Sequence, residues 1–577
     1  MNSLLRTYLA PQRGRIAVLA LLMLADLALQ LTLPRVVQLF IDSALAGTTL
    51  QALLTIGAGY LAVAITENWT WVGWHYVAQN VGLIATNRIR ADLTLHCLKL
   101  DMSFHNARTP GEMIERVDGD VSKLANFLSS FLVQMALNGL LVLGVLALLF
   151  ALDWRVGLPI ALSVALAMLS ARAVTQRLAP LSAKERQASA ELFGFLEERL
   201  SGTEDIRANG ATAYVLRRHI ERARELFRAA LKAVLLGMIS WRAMRTAIDI
   251  GATIGLTVGA LLCLDGVLSL GAVYVIFAYT EMLQHPVEQI MRQFGDMQQA
   301  IASMGRVQEL FNIQPQVTAD ANAAAAPLPS GPLSIALNQV SFAYPGDDPV
   351  LHEVSACVAA GSTLGVLGRT GSGKTTLTRL LLRLYDPTHG TVQLGEVDAR
   401  HIGNDDLRAR VAVVTQDIQL FSASVRDNLT FFDASVSDAR IHAALEAVGL
   451  SDWVRSLPNG LDTRLASGGG GLSAGQAQLL AFARAFLRDP GLVILDEASS
   501  RLDPATERKL DQAVDRLLAG RTGVIIAHRL STLQRVEQIL ILEEGRVREN
   551  GPRENLARNP QSRFAQLLNV GIEEALV

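Results

Sequence analysis

The sequence predicts a multidomain membrane protein: a six-helix all-α transmembrane domain with long cytoplasmic helices, fused to an α/β domain built around a phosphate loop. Three observations lead there. The chain has 577 residues and a mean hydropathy of +0.29, too long for one domain and too apolar to be wholly soluble. Its first half holds about six apolar runs of the roughly 20 residues a bilayer-spanning helix needs. Its second half alternates short Val, Ile and Leu strands with helices around "GRTGSGKT". The expected divisions are a transmembrane domain at 1–315, a linker at 316–333 and an α/β domain at 334–577.

The apolar runs lie at 16–36, 53–73, 128–150, 156–174, 246–263 and 268–284. The connections within each pair, "SALAGTTL", "ALDW" and "CLDGVLS", almost lack Lys and Arg. The longer connections carry Arg88, Arg90, Lys99, Arg177, Lys184, Arg186 and Arg207, which places them and both termini in the cytoplasm. Those connections, 75–126 and 175–245, each have room for two helices of about 25 residues that project roughly 35 Å from the membrane. Each turns around a short segment, "LDMSFHNARTPGE" or "TEDIRANGATA", punctuated by Pro110 and Gly111 or by Asn209 and Gly210. The three cysteines, Cys97, Cys263 and Cys357, lie far apart and show neither disulfide nor metal spacing, so they are expected only to pack. A net charge of -2 offers no basic surface for nucleic acid.

After Phe311 the segment "NIQPQVTADANAAAAPLPSGP" loses hydrophobic periodicity and reads as the linker. Beyond it, "GRTGSGKT" at 368–375 follows the strand "STLGVLG" and opens a helix from Lys374 to about Tyr385, the context a phosphate loop requires. Gly368, Arg369, Thr370, Gly371, Ser372 and Gly373 would bring backbone N–H groups onto phosphates. Lys374 would neutralise β/γ oxygens, and Thr375, followed by Thr376, would offer a hydroxyl to Mg²⁺. "LVILDE" ends a strand on Asp496, a water-mediated Mg²⁺ holder, and Glu497, a general base for the attacking water. His528 in "IIAHRLST" follows another strand and could donate to the γ-phosphate, although a lone His after a strand is more often structural.

These motifs together resemble the ATP-binding cassette (ABC) transporters, of the exporter type that fuses six helices to one nucleotide-binding domain; the likeness runs from "LLRTYLAPQRGRI" to "FAQLL". The resemblance implies that Tyr344 in "VSFAYPG" stacks on adenine and that Gln416 in "VVTQD" links Mg²⁺ to the membrane domain. "LSAGQ" is similar to the family signature, with Ser473, Ala474, Gly475 and Gln476 serving a partner's ATP. "SRLD" resembles the D-loop, with Asp503, and His528 the switch histidine; the two short cytoplasmic segments resemble coupling helices. One chain would then be a half-transporter that dimerises, uses ATP and Mg²⁺, and exports a small molecule, lipid or peptide by alternating access. The rival readings are a lipid flippase and an ATP-gated channel or regulatory membrane protein. Two departures stand out: Ala474 where the family has Gly, and Ser467 where it has an acid. The altered signature beside an intact Glu497 favours a heterodimer slightly over a homodimer, and the acid lost at Ser467 would weaken or reroute coupling to the membrane domain. The fused arrangement suits a bacterial inner (plasma) membrane.

Polar residues inside spans are costly and therefore informative. Asp26 and Gln30, Glu281 and His285, and the series Glu67, Trp71, His75 each repeat at i, i+4. Facing inward, Asp26, Gln30, Glu67, Glu281 and His285 would line a cavity for cationic or amphipathic cargo. Asp26 could equally pair two helices, and Trp69, Trp71 and Trp74 could form an interfacial belt.

Overall fold

The structure, a computed structural model, describes residues 2–317, 326–466, 468, 470–496, 504–527 and 530–570. The chain forms two compact units, one of Met1–Leu98 with Pro110–Ile313, the other of Lys99–Thr109 with Gln314–Val577.

The first unit is helical. Its long helices are α1 (Arg13–Leu45), α2 (Leu50–Leu98), α3 (Leu132–Leu152), α4 (Trp154–Ser201), α5 (Thr212–Leu264) and α6 (Leu270–Asn312). The 49 residues of α2 run to about 74 Å, more than twice the thickness of a bilayer's hydrocarbon core. Each apolar run thus becomes only part of a helix, which continues unbroken into the charged connection. Among the described residues five helices are long and apolar enough to cross a membrane: Arg6–Leu45, Leu50–Leu98, Pro110–Leu152, Trp154–Ser201 and Thr212–Leu264. Helix α6 is equally continuous, but Glu281, Gln284 and His285 interrupt its apolar run. The approach to α3 contains two π-helical stretches, Glu115–Asp120 and Phe127–Phe131.

The tight connections are built by caps. Asp153 adopts an extended conformation between α3 and α4, and its carboxylate accepts the Arg155 N–H at 2.7 Å. Ser269 caps α6 by accepting the Ala272 N–H. Asp42, near the end of α1, reaches the same point, accepting from the Ser269 hydroxyl at 2.7 Å and the Gly271 N–H at 2.9 Å. Position 271 must be Gly, because a Cβ there would lie 2.6 Å from both Asp42 Oδ1 and the Gln38 carbonyl. The core of this unit is aliphatic (Val145, Leu149, Ile160, Ile276, Leu283), and the buried Tyr279 donates its hydroxyl to the Leu31 carbonyl at 2.7 Å. Buried Asp120 accepts from Ser303 at 2.9 Å and from Arg306 Nε at 2.8 Å, tying the helix after Pro110 to α6.

The second unit contains two sheets. Strands β1 (Ile335–Ala343), β2 (Pro349–Val358), β4 (His389–Leu394) and β5 (Val397–Asp398) form an antiparallel sheet in the order β2-β1-β4-β5. A six-stranded sheet comprises β3 (Thr363–Leu367), β6 (Val411–Val414), β7 (Leu492–Asp496), β8 (Thr522–Ile526), β9 (Gln538–Glu543) and β10 (Arg546–Pro552), in the order β10-β9-β3-β8-β7-β6. All pairings but β9-β10 are parallel, and β3 and β8 are buried along their whole length, as a sheet covered on both faces requires.

Two local differences from the sequence reading follow from packing. The end of the expected linker is docked: Leu328 and Leu333 are buried, their N–H groups donating to the Asp406 carboxylate at 2.7 Å and the Gly491 carbonyl at 3.2 Å. Cys357 is exposed on β2, so of the three cysteines only Cys97 is buried as a packing residue.

Candidate functional site: a phosphate cradle and a capped signature helix

The end of β3 leads into the cradle. Gly368, Gly371 and Gly373 have φ of 153°, 84° and 98°, the region that favours glycine. A Cβ at Gly368 would lie 2.3 Å from the Leu542 carbonyl and 2.4 Å from Ser372 Oγ, and one at Gly373 would lie 2.5 Å from Leu351. The loop can therefore follow this path only with glycine at 368 and 373. Gly373 then caps helix α7 (Lys374–Leu381), which ends earlier than the sequence suggests because Leu382 and Arg383 turn the chain.

Inside the loop, Lys374 is buried and folds its ammonium back onto the loop's own carbonyls, at 2.6 Å from Gly368 O and 2.9 Å from Arg369 O. Burial pushes this ammonium below the ordinary lysine range, and the negative charge of Asp496 works against that shift. The Ser372 hydroxyl is buried and has no hydrogen-bond partner among the described residues. A buried cation hydrogen-bonded to neutral carbonyls, next to a hydroxyl with no partner among the described residues, is a site shaped for an anionic ligand. Thr375 is exposed in the first turn of α7, Gln416 is exposed just beyond β6, and Asp496 closes β7 opposite Ile526 of β8. Hydroxyl, amide and carboxylate are hard oxygen donors, the set that suits Mg²⁺.

Tyr344 borders the cradle. Its hydroxyl hydrogen-bonds Thr376 at 3.1 Å and accepts from Arg379 at 2.9 Å, both on α7. Its ring meets Phe342 and Tyr385 edge-on, with centroids 4.9 and 5.3 Å away. The sequence reading named Tyr344 and Thr376 separately, without the contact between them, and did not name Arg379 or Tyr385.

"LSAGQ" begins helix α8 (Ala474–Arg488) with a capping box: Ser473 Oγ accepts the Gln476 N–H at 3.2 Å, and Gln476 Oε1 accepts the Ser473 N–H at 3.0 Å. The box leaves the amides of Ala474 and Gly475 unclaimed by it and keeps the Ser473 hydroxyl hydrogen available. Ser473 and Ala474 are exposed and Gly475 is buried, so the methyl of Ala474 stands at the solvent end of the helix. Glu497, Asp503, His528 and Ser467 lie outside the described residues.

The intramembrane polar residues do not share one setting. Asp26 is fully buried between α1 and α2; its carboxylate accepts from Gln30 Nε2 at 3.0 Å, Thr70 Oγ1 at 3.3 Å and Trp74 Nε1 at 3.2 Å. Glu67 is half-buried beside this network. Glu281 and His285 are exposed and contact Gln284 and Gln289 of their own helix. Trp69 and Trp71 are exposed as a belt would have them, but Trp74 is buried and serves Asp26 instead.

Comparison with known proteins bears on both units. The family described as "ABC transporter transmembrane region" matches residues 16–287, and that described as "ABC transporter" matches 351–500. An uncharacterized ABC transporter ATP-binding protein of Bacillus subtilis is 30% identical over 566 residues, covering 96% of this chain and 91% of that protein. A fatty acid ABC transporter ATP-binding/permease protein of Mycobacterium bovis is 30% identical over 80% of this chain and 73% of its own. An ATP-dependent lipid A-core flippase of Desulfotalea psychrophila is 29% identical over 86% of each. The solved structure of a bacterial Atm1-family ABC exporter with ATP bound superposes with a TM-score of 0.81 at 26% identity, covering 97% of this chain and 98% of that one.

Proposed function

The chain belongs to the ABC transporters, and from that premise we propose that it is one half of a dimeric exporter that moves an amphipathic, lipid-like molecule across a bacterial inner membrane. Proteins similar to it are described as an ATP-dependent flippase and as an ABC exporter with ATP bound, and a membrane-spanning chain with an ATP-binding domain is built for export driven by ATP hydrolysis. The lipid-like cargo rests on the relatives described as a fatty acid transporter and a lipid A-core flippase.

The observation that carries the reading is the state of the phosphate cradle: Lys374 rests on carbonyls at 2.6 and 2.9 Å, and Ser372 Oγ is buried without a partner among the described residues. An arriving triphosphate offers both groups charged acceptors, so binding exchanges weak partners for strong ones. Thr375, Gln416 and Asp496 are the residues that would hold Mg²⁺, which supplies charge neutralisation on the transferring phosphoryl group. Glu497 orients and deprotonates the attacking water, and His528 donates to the γ-phosphate. Ser473 and the amides at the start of α8 point their donors and the positive end of a helix dipole at the γ-phosphate held by a second chain, across an interface that includes Asp503. Because the chain has one phosphate loop and one signature helix, two chains make two sites. The exposed methyl of Ala474 stands where that phosphate would approach, which favours a heterodimer whose other member carries Gly.

Particle mass and Mg-ATPase rate of the chain alone in lipid nanodiscs, with Glu497→Gln as control, test this assembly. A dimer whose turnover vanishes in Glu497→Gln makes the protein a homodimer and removes the heterodimer reading. A monomer, or a dimer without Glu497-dependent turnover, calls for a partner subunit. Flow of a fluorescent lipid through proteoliposomes without ATP would overturn the exporter in favour of a channel.

A further inference from the structure

The segment Lys99–Thr109, between α2 and the helix that begins at Pro110, packs within the α/β unit. Its centre is a single helical turn and a half, Met102–Asn106, preceded by Asp101 in an extended conformation. Asp101 sits where a helix-capping side chain belongs but makes no cap. Its carboxylate instead accepts the backbone N–H groups of Gln316 and Val317, at 2.5 and 3.1 Å, fixing one end of the segment to the chain that leaves α6. At the other end, Asn106 Nδ2 donates to the Tyr385 hydroxyl at 2.9 Å.

Tyr385 is buried, so this hydroxyl is the point at which its ring meets the segment. The same ring meets Tyr344 edge-on, 5.3 Å between centroids and 88° between planes. Tyr344 is in turn held by its hydroxyl to Thr376 and Arg379 of α7. An unbroken series of contacts thus runs from the helix that follows the phosphate loop, through two tyrosines, to Asn106. The tyrosines are packed in a core with Phe342, where a ring cannot turn without its neighbour yielding.

We propose that Tyr385 is a positioning residue that transmits occupancy of the base site beside Tyr344 to the segment Lys99–Thr109 through its hydrogen bond with Asn106. The proposal rests on Tyr344 being the residue that stacks on the base. A purine stacked on the half-buried Tyr344 fixes that ring's plane; the edge of Tyr385 is then fixed against it, and Asn106 is held at its hydroxyl. Phosphates alone, bound in the loop, do not touch the two rings. The segment would therefore register a nucleoside triphosphate, and not a triphosphate as such.

Hydrogen-exchange mass spectrometry on the full chain in lipid nanodiscs tests this, with a non-hydrolysable ATP analogue and inorganic tripolyphosphate as the two probes. The ATP analogue is expected to slow exchange across 99–109 by about fivefold, the factor one net hydrogen bond supplies, and tripolyphosphate to leave it unchanged while still protecting the phosphate loop. Tyr385→Phe and Asn106→Ala should abolish the slowing at 99–109 and keep the analogue's protection of the loop. Asn106→Asp, whose carboxylate accepts from the Tyr385 hydroxyl, should restore it, and should fail to do so when combined with Tyr385→Phe. Slowing that persists in Tyr385→Phe, or that tripolyphosphate produces equally, overturns the relay. A Tyr344→Ala chain with unchanged ATP affinity removes the base-stacking premise, and the relay with it; weakened ATP affinity in Tyr344→Ala together with undisturbed slowing in Tyr385→Phe removes the relay alone.

Discussion

Truncating Asp26 to Ala separates two roles that a membrane carboxylate can have, cargo contact and helix pairing. In this structure the side chain is fully buried and three donors converge on it, from Gln30, Thr70 and Trp74. Thr70 has a second acceptor, the Glu67 carbonyl at 2.7 Å, so its hydroxyl survives the substitution satisfied. The indole N–H of Trp74, buried at 3% exposure, loses its acceptor, whereas the Gln30 amide keeps its hydrogen bond to Glu67. Interhelical hydrogen bonds in membranes average about 0.6 kcal/mol and reach about 1.7, so the loss at Trp74 comes to about 0.6–1.7 kcal/mol. At roughly 2–4 °C per kcal/mol, Asp26→Ala should unfold several degrees below wild type when followed by far-ultraviolet circular dichroism in nanodiscs. Combined with Trp74→Phe it should cost less than the two single changes together, with a coupling of about 0.5–1.5 kcal/mol. Wild-type thermal stability in Asp26→Ala, together with altered export, would refute the pairing argument and return the carboxylate to the cargo path.

The buried Lys374 makes stability depend on pH. Its ammonium is pushed below the ordinary value of 10.5, so the unfolded chain holds this proton more tightly than the folded one. Nucleotide-free stability should then rise with pH as Lys374 gives up its proton, relative to a Lys374→Met chain in which that slope is absent; paired melting curves from about pH 8 to about pH 10 check the sign. Ser473→Asp keeps a good helix cap while placing negative charge against a phosphate, so melting should stay within about 0.5 kcal/mol of wild type while ATPase activity falls at least about tenfold. Asp120→Ala leaves Ser303 and Arg306 without their acceptor. The full penalty for a broken buried pair, about 3–5 kcal/mol, is reduced here to about 2 because the Arg306 side chain is 40% exposed, and a double-mutant cycle with Arg306→Met should show coupling of about 1–2 kcal/mol.

What could be read from the sequence was what is local in the chain. A phosphate loop is one strand, one glycine turn and one helix start in succession, so "GRTGSGKT" carried its own context, and Ser473 with Gln476 three residues on announced the capping box of α8. The two π-helical stretches before α3 left no mark, because an extra residue in a helical turn shifts the apolar face without breaking its period. Trp74 fitted an interfacial belt by composition alone. Its actual partner, Asp26, is 48 residues away, and only the meeting of α1 and α2 brings the two within 3.2 Å.

The same distinction explains why the Asn106–Tyr385 contact was hidden. The two residues are 279 positions apart, and each has an ordinary neighbourhood: Asn106 ends a five-residue helix, and Tyr385 follows a helix of the nucleotide unit. Neither residue type is unusual where it stands, so neither signals a role. What gives them one is that the chain passes into the α/β unit twice, at Lys99–Thr109 and again at Gln314, and that Asp101 ties the first of these segments to the second through Gln316 and Val317. A helix cap given up to make that junction is a local loss in stability, since Asp at this position would ordinarily satisfy an amide of the turn that follows it. The carboxylate is committed to the junction and Asn106 to a buried hydroxyl, so both ends of the segment are fixed by long-range contacts and neither by its own short helix. A segment held in this way moves with its anchors, which is the mechanical property a reporter of the nucleotide site requires.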